Sequence, residues 1–216
     1  MRLLPANSGP GRMLRHSRFT RARLKSNAKA KALISYLEPA HLALKAAQVA
    51  AVDADDAVMD ARAPVTEVDT AADEVVVAFQ LDLLKLTGKN YSDPHYIAYF
   101  PKGLGDVRRL HGQPLAAELS RIEQTLTAQG KTGPLATYIP KLQQLQKEWQ
   151  GPLAALKKVT ESQTQVGIVL DKAKHDWALA YDAIYGHLRA LFPGKKTFVE
   201  SFFLPADAPK KPKPTV

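Results

Sequence analysis

The chain has 216 residues, 45% of them hydrophobic but only 7% aromatic, and it contains no cysteine. That is long enough to bury a hydrophobic core, and the missing thiols exclude a disulfide framework, a thiolate zinc site and a cysteine nucleophile. The net charge of +9 sits unevenly: residues 1–37 hold nine basic side chains and no acid, while 21 bases and 21 acids cancel from Glu38 onward.

A neutral domain with a basic arm is the organisation this implies. No apolar run approaches the roughly 18–20 residues of a membrane span, and the start lacks the apolar core of a secretory signal. A cytoplasmic protein is the expectation. Residues 1–25, with Pro5, Gly9, Pro10 and Gly11 among scattered arginines, are expected to be a flexible or loosely helical arm. An acid-free, arginine-rich start also resembles an organellar transit peptide.

Residues 26–204 are predicted to form one helical bundle domain. Ser26 is a candidate N-cap for a short helix through Leu37, and Pro39 opens a second segment whose apolar side is Leu42, Ala46, Val49, Val52 and Met59. Together these make a kinked first helix over 27–62, which Pro64 is expected to end. Thr66 with Asp69 marks a second helix start. Its stripe is Val68, Ala72, Val75, Phe79, Leu83 and Leu86, and Gly88 is its C-cap. The first and second helices are then an antiparallel hairpin.

From Lys89 to Gly112 the periodicity breaks around Tyr91, Tyr96, Tyr99 and Phe100, which suggests an aromatic plug on the bundle end. A third helix over 114–129 carries Leu115, Leu119, Ile122 and Leu126. The fourth, over 134–191, has the clearest pattern. Its stripe, at alternating spacings of three and four, is Leu135, Tyr138, Leu142, Leu145, Trp149, Leu153, Leu156 and Val159, then Val166, Leu170, Ala173, Trp177, Tyr181, Ile184, Leu188 and Leu191. An interior proline costs about 3 kcal/mol, so a kink or break is expected at Gly151-Pro152. Phe198, Val199, Phe202 and Phe203 predict a returning strap, and the Pro/Lys-rich residues 205–216 a disordered tail.

Candidate chemistry is sparse. Asp53, Asp56 and Asp60 share a helix face, and Glu67, Asp69 and Asp73 could approach it, but helices lack the loop oxygens that hard cations recruit, so a solvated face is the better reading. Glu38-Pro-Ala-His41 matches one half of a di-iron carboxylate motif. The second half is absent, since Asp171 and His175 have the wrong spacing. Tyr181, Tyr185 and His187, with Asp182 nearby, could suggest an acid–base group, but tyrosines at stripe spacing near a helix end fit amphipathic core positions better. No catalytic residue, cofactor or metal is expected.

The basic arm remains: Arg12, Arg15, Arg18, Arg21, Arg23 and Lys25 can attract nucleic-acid phosphates or an acidic partner surface. The aspartate-rich segment 53–60, Tyr99-Phe-Pro-Lys-Gly-Leu-Gly105 and Tyr185-Gly-His-Leu-Arg-Ala-Leu-Phe-Pro-Gly194 together resemble a group of uncharacterised bacterial all-helical proteins. That resemblance implies an all-α fold over roughly 40–204 and carries over no catalytic residue.

The sequence thus predicts an all-α bundle of four main helices, one of them very long. It would be a non-enzymatic structural or assembly module that packs on itself or on a protein partner. Leu142, Leu145, Trp149 and Leu156 are the candidate partner-packing residues of the long helix, in a coiled-coil-like seam. The alternative is a nucleic-acid-binding accessory protein acting through the basic arm.

Overall fold

Spacings of three and four between apolar residues bring them onto one face of an α-helix, and the computed structural model is all-α accordingly. It describes residue 4 and residues 8–130 and 133–205. The elements are α1 (Pro10–Lys25), a 3-10 turn (Lys31–Leu33), α2 (Ile34–Leu86), α3 (Pro94–Tyr99), α4 (Leu104–Val107), α5 (Gln113–Ala128), α6 (Tyr138–Leu191) and α7 (Lys196–Glu200). Four of the eight, α1, α2, α5 and α6, are main helices. Among the described residues no helix is long and apolar enough to cross a membrane.

That number agrees with the sequence reading, but the helices are partitioned differently. Pro64 does not end a helix: α2 runs without interruption for 53 residues. There is therefore no hairpin between 62 and 67. The buried positions Val58, Val65, Ala72, Val76, Phe79 and Leu83 keep one phase across Pro64, so packing on both sides holds the axis against the lost backbone bond. Pro152 is likewise accommodated, and α6 continues through it for 54 residues.

The fourth main helix is α1, at residues expected to be a flexible arm. Gly9 is its N-cap, Pro10 occupies the first turn, and Ser26 is its C-cap rather than the start of the next helix. Pro at N1 is preorganised for a helix, and Arg23 and Lys25 in the last turn complement the dipole. Its buried side, Met13, Ser17, Thr20 and Leu24, has spacings of four, three and four. Two small polar residues within that stripe hide it from a hydrophobicity count. Residues 1–3 and 5–7 of the expected arm, and 206–216 of the expected tail, lie outside the described residues.

The chain divides into two compact units, the described residues of Met1–Ala54 with Gln163–Val216, and Asp55–Ser162. In the first unit, Met13, Leu14 and Leu24 of α1 pack with Leu37 and Leu44 of α2 and Trp177, Ile184 and Leu188 of α6. Val199, Phe202 and Phe203 return to this core, as the strap expectation required. Phe203 meets the Tyr181 ring edge-on at 5.2 Å, and Tyr181 stacks on Trp177 at 4.5 Å.

In the second unit, α5 presents Leu115, Leu119, Ile122 and Leu126 to α2 and α6, all four buried. The segment between α2 and α5 is the expected aromatic plug. Tyr96, Tyr99 and Phe100 are buried, and Phe79 is ringed by Tyr99, Tyr138 and Phe100 at 5.1, 5.3 and 5.9 Å. Arg121 of α5 donates to the carbonyls of Ala98 and Tyr99, satisfying acceptors that the short α3 leaves without partners. Gly88, at φ +62°, turns the chain out of α2, and the Lys89 amide closes back on the Leu84 carbonyl at 2.7 Å.

Candidate functional site

The register of α1 decides where its charges go. With Met13, Leu14, His16, Ser17, Thr20 and Leu24 buried, Arg12, Arg15, Arg18 and Lys25 fall on the exposed side. At 1.5 Å per residue they form a basic ridge about 20 Å long. Arg21 and Arg23 stand at its edges and are only half-exposed. Arg21 makes a two-pronged pair with the Glu38 carboxylate at 2.6 and 2.5 Å. Arg23 donates to the Ser201 hydroxyl at 3.2 Å and lies 5.5 Å from the centroid of the Phe202 ring. A cleft of about 390 Å³ between α1 and α2 is lined by Arg18, Arg21, Ala22, Lys25, Ile34 and Glu38.

Beneath the ridge the polar residues of α1 are satisfied internally. The Ser17 hydroxyl and His41 Nδ1 are 3.0 Å apart, and both side chains are buried. Burial pushes the His41 pKa below its ordinary 6.5; the nearby Arg21 adds to this and Glu38 opposes it. A serine and histidine in contact suggest a nucleophile and base, but Ser17 is 0% exposed and presents no oxygen to a substrate. With its carboxylate committed to Arg21, Glu38 does not join His41 as a metal ligand. Thr20 and Tyr181 share a buried hydroxyl contact of 3.2 Å, and burial raises the Tyr181 pKa to about 12.

The aspartates do not converge. Asp53, Asp56 and Asp60 are exposed on α2, Asp73 is held by Arg108 at 2.8 and 3.0 Å, and among the described residues no three His, Asp or Glu side chains are grouped to hold a metal ion. Asp69 differs from the others. It follows Val65 by four residues and precedes Ala72 by three, so it points into the second unit along the buried stripe. One oxygen accepts from Trp149 Nε1 at 2.9 Å, and both face the Gly112 amide, at 2.8 and 3.1 Å. Asp69 thereby ties α2 to α6 and to the start of α5. Gly112 adopts φ +58°, a conformation favouring glycine, which turns its amide to the carboxylate. His111 Nδ1, at 3.8 Å, is beyond hydrogen-bond reach. A groove of about 850 Å³ opens beside Asp69, with Val65, Leu153 and Leu156 on its apolar side and Arg62 and Lys157 at its polar side. The sequence reading placed Asp69 in an acidic cluster and missed this clamp. Its signal was a carboxylate in phase with the buried residues of its helix.

The partner-packing residues expected on the long helix are not at a partner's disposal. Leu142, Leu145 and Trp149 are 1%, 4% and 1% exposed, and Leu156 packs partly buried against the same core. The exposed apolar side chains lie elsewhere. The side of α2 expected to face the core, Leu42, Ala46, Val49, Val52 and Met59, faces outward. Its buried residues in the first unit are Leu37, His41, Leu44 and Ala47.

No protein-family model, curated protein or solved structure matches this chain.

Proposed function

We propose that this protein is a non-enzymatic helical assembly module of the cytoplasm, which packs on itself or on a protein partner and docks an acidic surface through α1. One observation carries the reading: the buried stripe of α1 fixes Arg12, Arg15, Arg18 and Lys25 on one outward ridge, in a helix that contains no acidic residue. A preordered ridge loses less conformational entropy on binding than a flexible arm, so its charges act together. The polar clusters favour a binding role over a chemical one, because Ser17 and His41 of the first unit are buried against each other and both oxygens of Asp69 in the second unit already accept hydrogen bonds.

A second reading, duplex nucleic acid as the anionic partner, is favoured by the spacing of four cations over about 20 Å, compatible with contacts along a phosphate backbone. The experiment compares wild type with the double variant R15E/R18E, measuring anisotropy on labelled polyglutamate and on a random DNA duplex at two salt concentrations. The assembly reading expects polyglutamate binding that weakens at least about tenfold in the variant, with duplex binding no tighter than that of polyglutamate. A duplex preference with a log–log salt slope near about −3.6, as four released counterions require, moves the nucleic-acid reading ahead. Unchanged binding of both probes by the variant sinks the ridge as a docking element.

A further inference from the structure

The outward side of α2 carries more order than an incidental apolar patch. Leu42, Val49 and Val52 are each 53% exposed and Met59 63%, and the exposed Lys45 and Asp56 lie between them. The six positions 42, 45, 49, 52, 56 and 59 follow spacings of three, four, three, four and three, the a and d positions of a coiled-coil seam. They lie on one uninterrupted helix, so helical periodicity alone aligns them over about 26 Å. In order they are apolar, cation, apolar, apolar, anion, apolar. Reversing that order exchanges only the cation and the anion.

We propose that a second copy of this chain packs antiparallel on this stripe, forming a two-fold symmetric helix pair centred between Ala50 and Ala51. Reversing one strand of a heptad seam brings each a position against a d position of the other. Leu42 then meets the partner's Met59, Lys45 meets the partner's Asp56, and Val49 meets the partner's Val52, with every contact made twice. Such an isologous interface must be self-complementary, and this stripe meets that condition at all six positions. A parallel pair would set Lys45 on Lys45 and Asp56 on Asp56, so the charge order selects the antiparallel orientation. Ala46 and Ala50, exposed beside the seam, let the two backbones approach closely. The proposal rests on the self-packing part of the assembly reading and needs nothing from the α1 ridge.

The test uses the full chain, whose mass is 23.7 kDa, in light scattering and sedimentation equilibrium over roughly two orders of magnitude in concentration. The wild type is expected to approach twice the monomer mass. K45D and D56K, each at an exposed position, are expected to raise the dissociation constant at least about tenfold, and K45D/D56K together to restore it. Because the chain has no cysteine, cross-linking reports orientation directly. Leu42→Cys with Met59→Cys in one chain should give an oxidised dimer, while neither single variant does. A wild type that stays monomeric throughout overturns both this seam and self-packing. A dimer indifferent to K45D overturns the seam and leaves self-packing through another face. A dimer weakened by K45D but not restored in the double variant, or cross-linked by the single cysteines, overturns the antiparallel arrangement.

Discussion

Asp69→Ala tests whether the second unit depends on the carboxylate clamp. The substitution leaves the Trp149 indole N–H and the Gly112 amide without their acceptor, at an indole that is only 1% exposed. Hydrogen bonds to a charged group contribute about 1.5–3 kcal/mol each, and a buried donor left unpaired costs about 1–3 kcal/mol. The 3.8 Å contact with His111 adds little, since that side chain is 78% exposed. A loss of about 3–5 kcal/mol follows, which for a chain of this size lowers Tm by roughly 6–20 °C. Asp69→Asn keeps one acceptor oxygen and should lose about 1–2 kcal/mol. Urea unfolding is followed by fluorescence in a Trp177→Phe background, where Trp149 is the sole indole and reports the second unit alone. A double-mutant cycle between Asp69→Ala and Trp149→Phe, followed by far-UV circular dichroism because Trp149→Phe removes the indole, should show a coupling of about 1–3 kcal/mol. A loss within about 0.5 kcal/mol for Asp69→Ala, with no coupling, would refute the clamp.

Two further predictions concern α1 and α6. His41 titrates below its free value of 6.5 because burial, aided by Arg21, disfavours the imidazolium. The unfolded chain therefore binds more protons between the folded pKa and 6.5. Stability is fully present above about pH 6.5 and is lost as pH falls below it, with a slope up to about 1.4 kcal/mol per pH unit from this group. His41→Gln should flatten that slope in urea midpoints measured between pH 7.5 and about 5; an unaltered slope would mean that other groups carry it. Pro152→Ala restores a backbone donor to the Glu148 carbonyl within α6 and removes the ring's clash, a gain of about 3 kcal/mol, against about 0.5–1 kcal/mol of added entropy in the unfolded chain. A net stabilisation of about 2 kcal/mol is expected in the same unfolding assay, and a destabilised variant would show that the proline shapes a packing contact.

The long-range periodicity of α6 was legible almost residue by residue, because its stripe is made of Leu, Val, Ala, Trp, Tyr and Ile and keeps its phase across one polar gap, at Gln163. Trp149, Trp177, Tyr181, Ile184 and Leu188 are all buried. The same test of preserved phase would have joined the two halves of α2, since Val58 and Val65 are seven residues apart across Pro64. A rule that ends every helix at an interior proline overlooks this. A local penalty of about 3 kcal/mol is smaller than the burial of several large side chains on either side, each worth about 1.5–3 kcal/mol. At α1 the difficulty was chemical: Ser17 and Thr20 look like solvent-facing residues until His41 and Tyr181, 24 and 161 positions away, supply their partners. Asp69 raised the same problem in reverse, a charge on a buried stripe whose reason lies 80 residues away at Trp149.

The inverted facing of α2 follows from the same physics and bears on assembly. In the first unit its buried side offers Leu37, His41, Leu44 and Ala47, a histidine and an alanine among only two leucines. Its exposed side offers Leu42, Val49, Val52 and, farther along, Met59. Small residues and a satisfied polar pair allow close helix packing, so a side with only two leucines can be the one this segment buries. What remains outside is the side a hydrophobicity count would choose as core. Scattered exposed apolar residues are ordinary in proteins, but Leu42, Val49, Val52 and Met59 recur at coiled-coil spacing on one side of α2, with Lys45 and Asp56 between them, which is a stripe rather than a scatter. With Lys45 and Asp56 set symmetrically within it, the stripe has the self-complementary order that the proposed antiparallel pair requires.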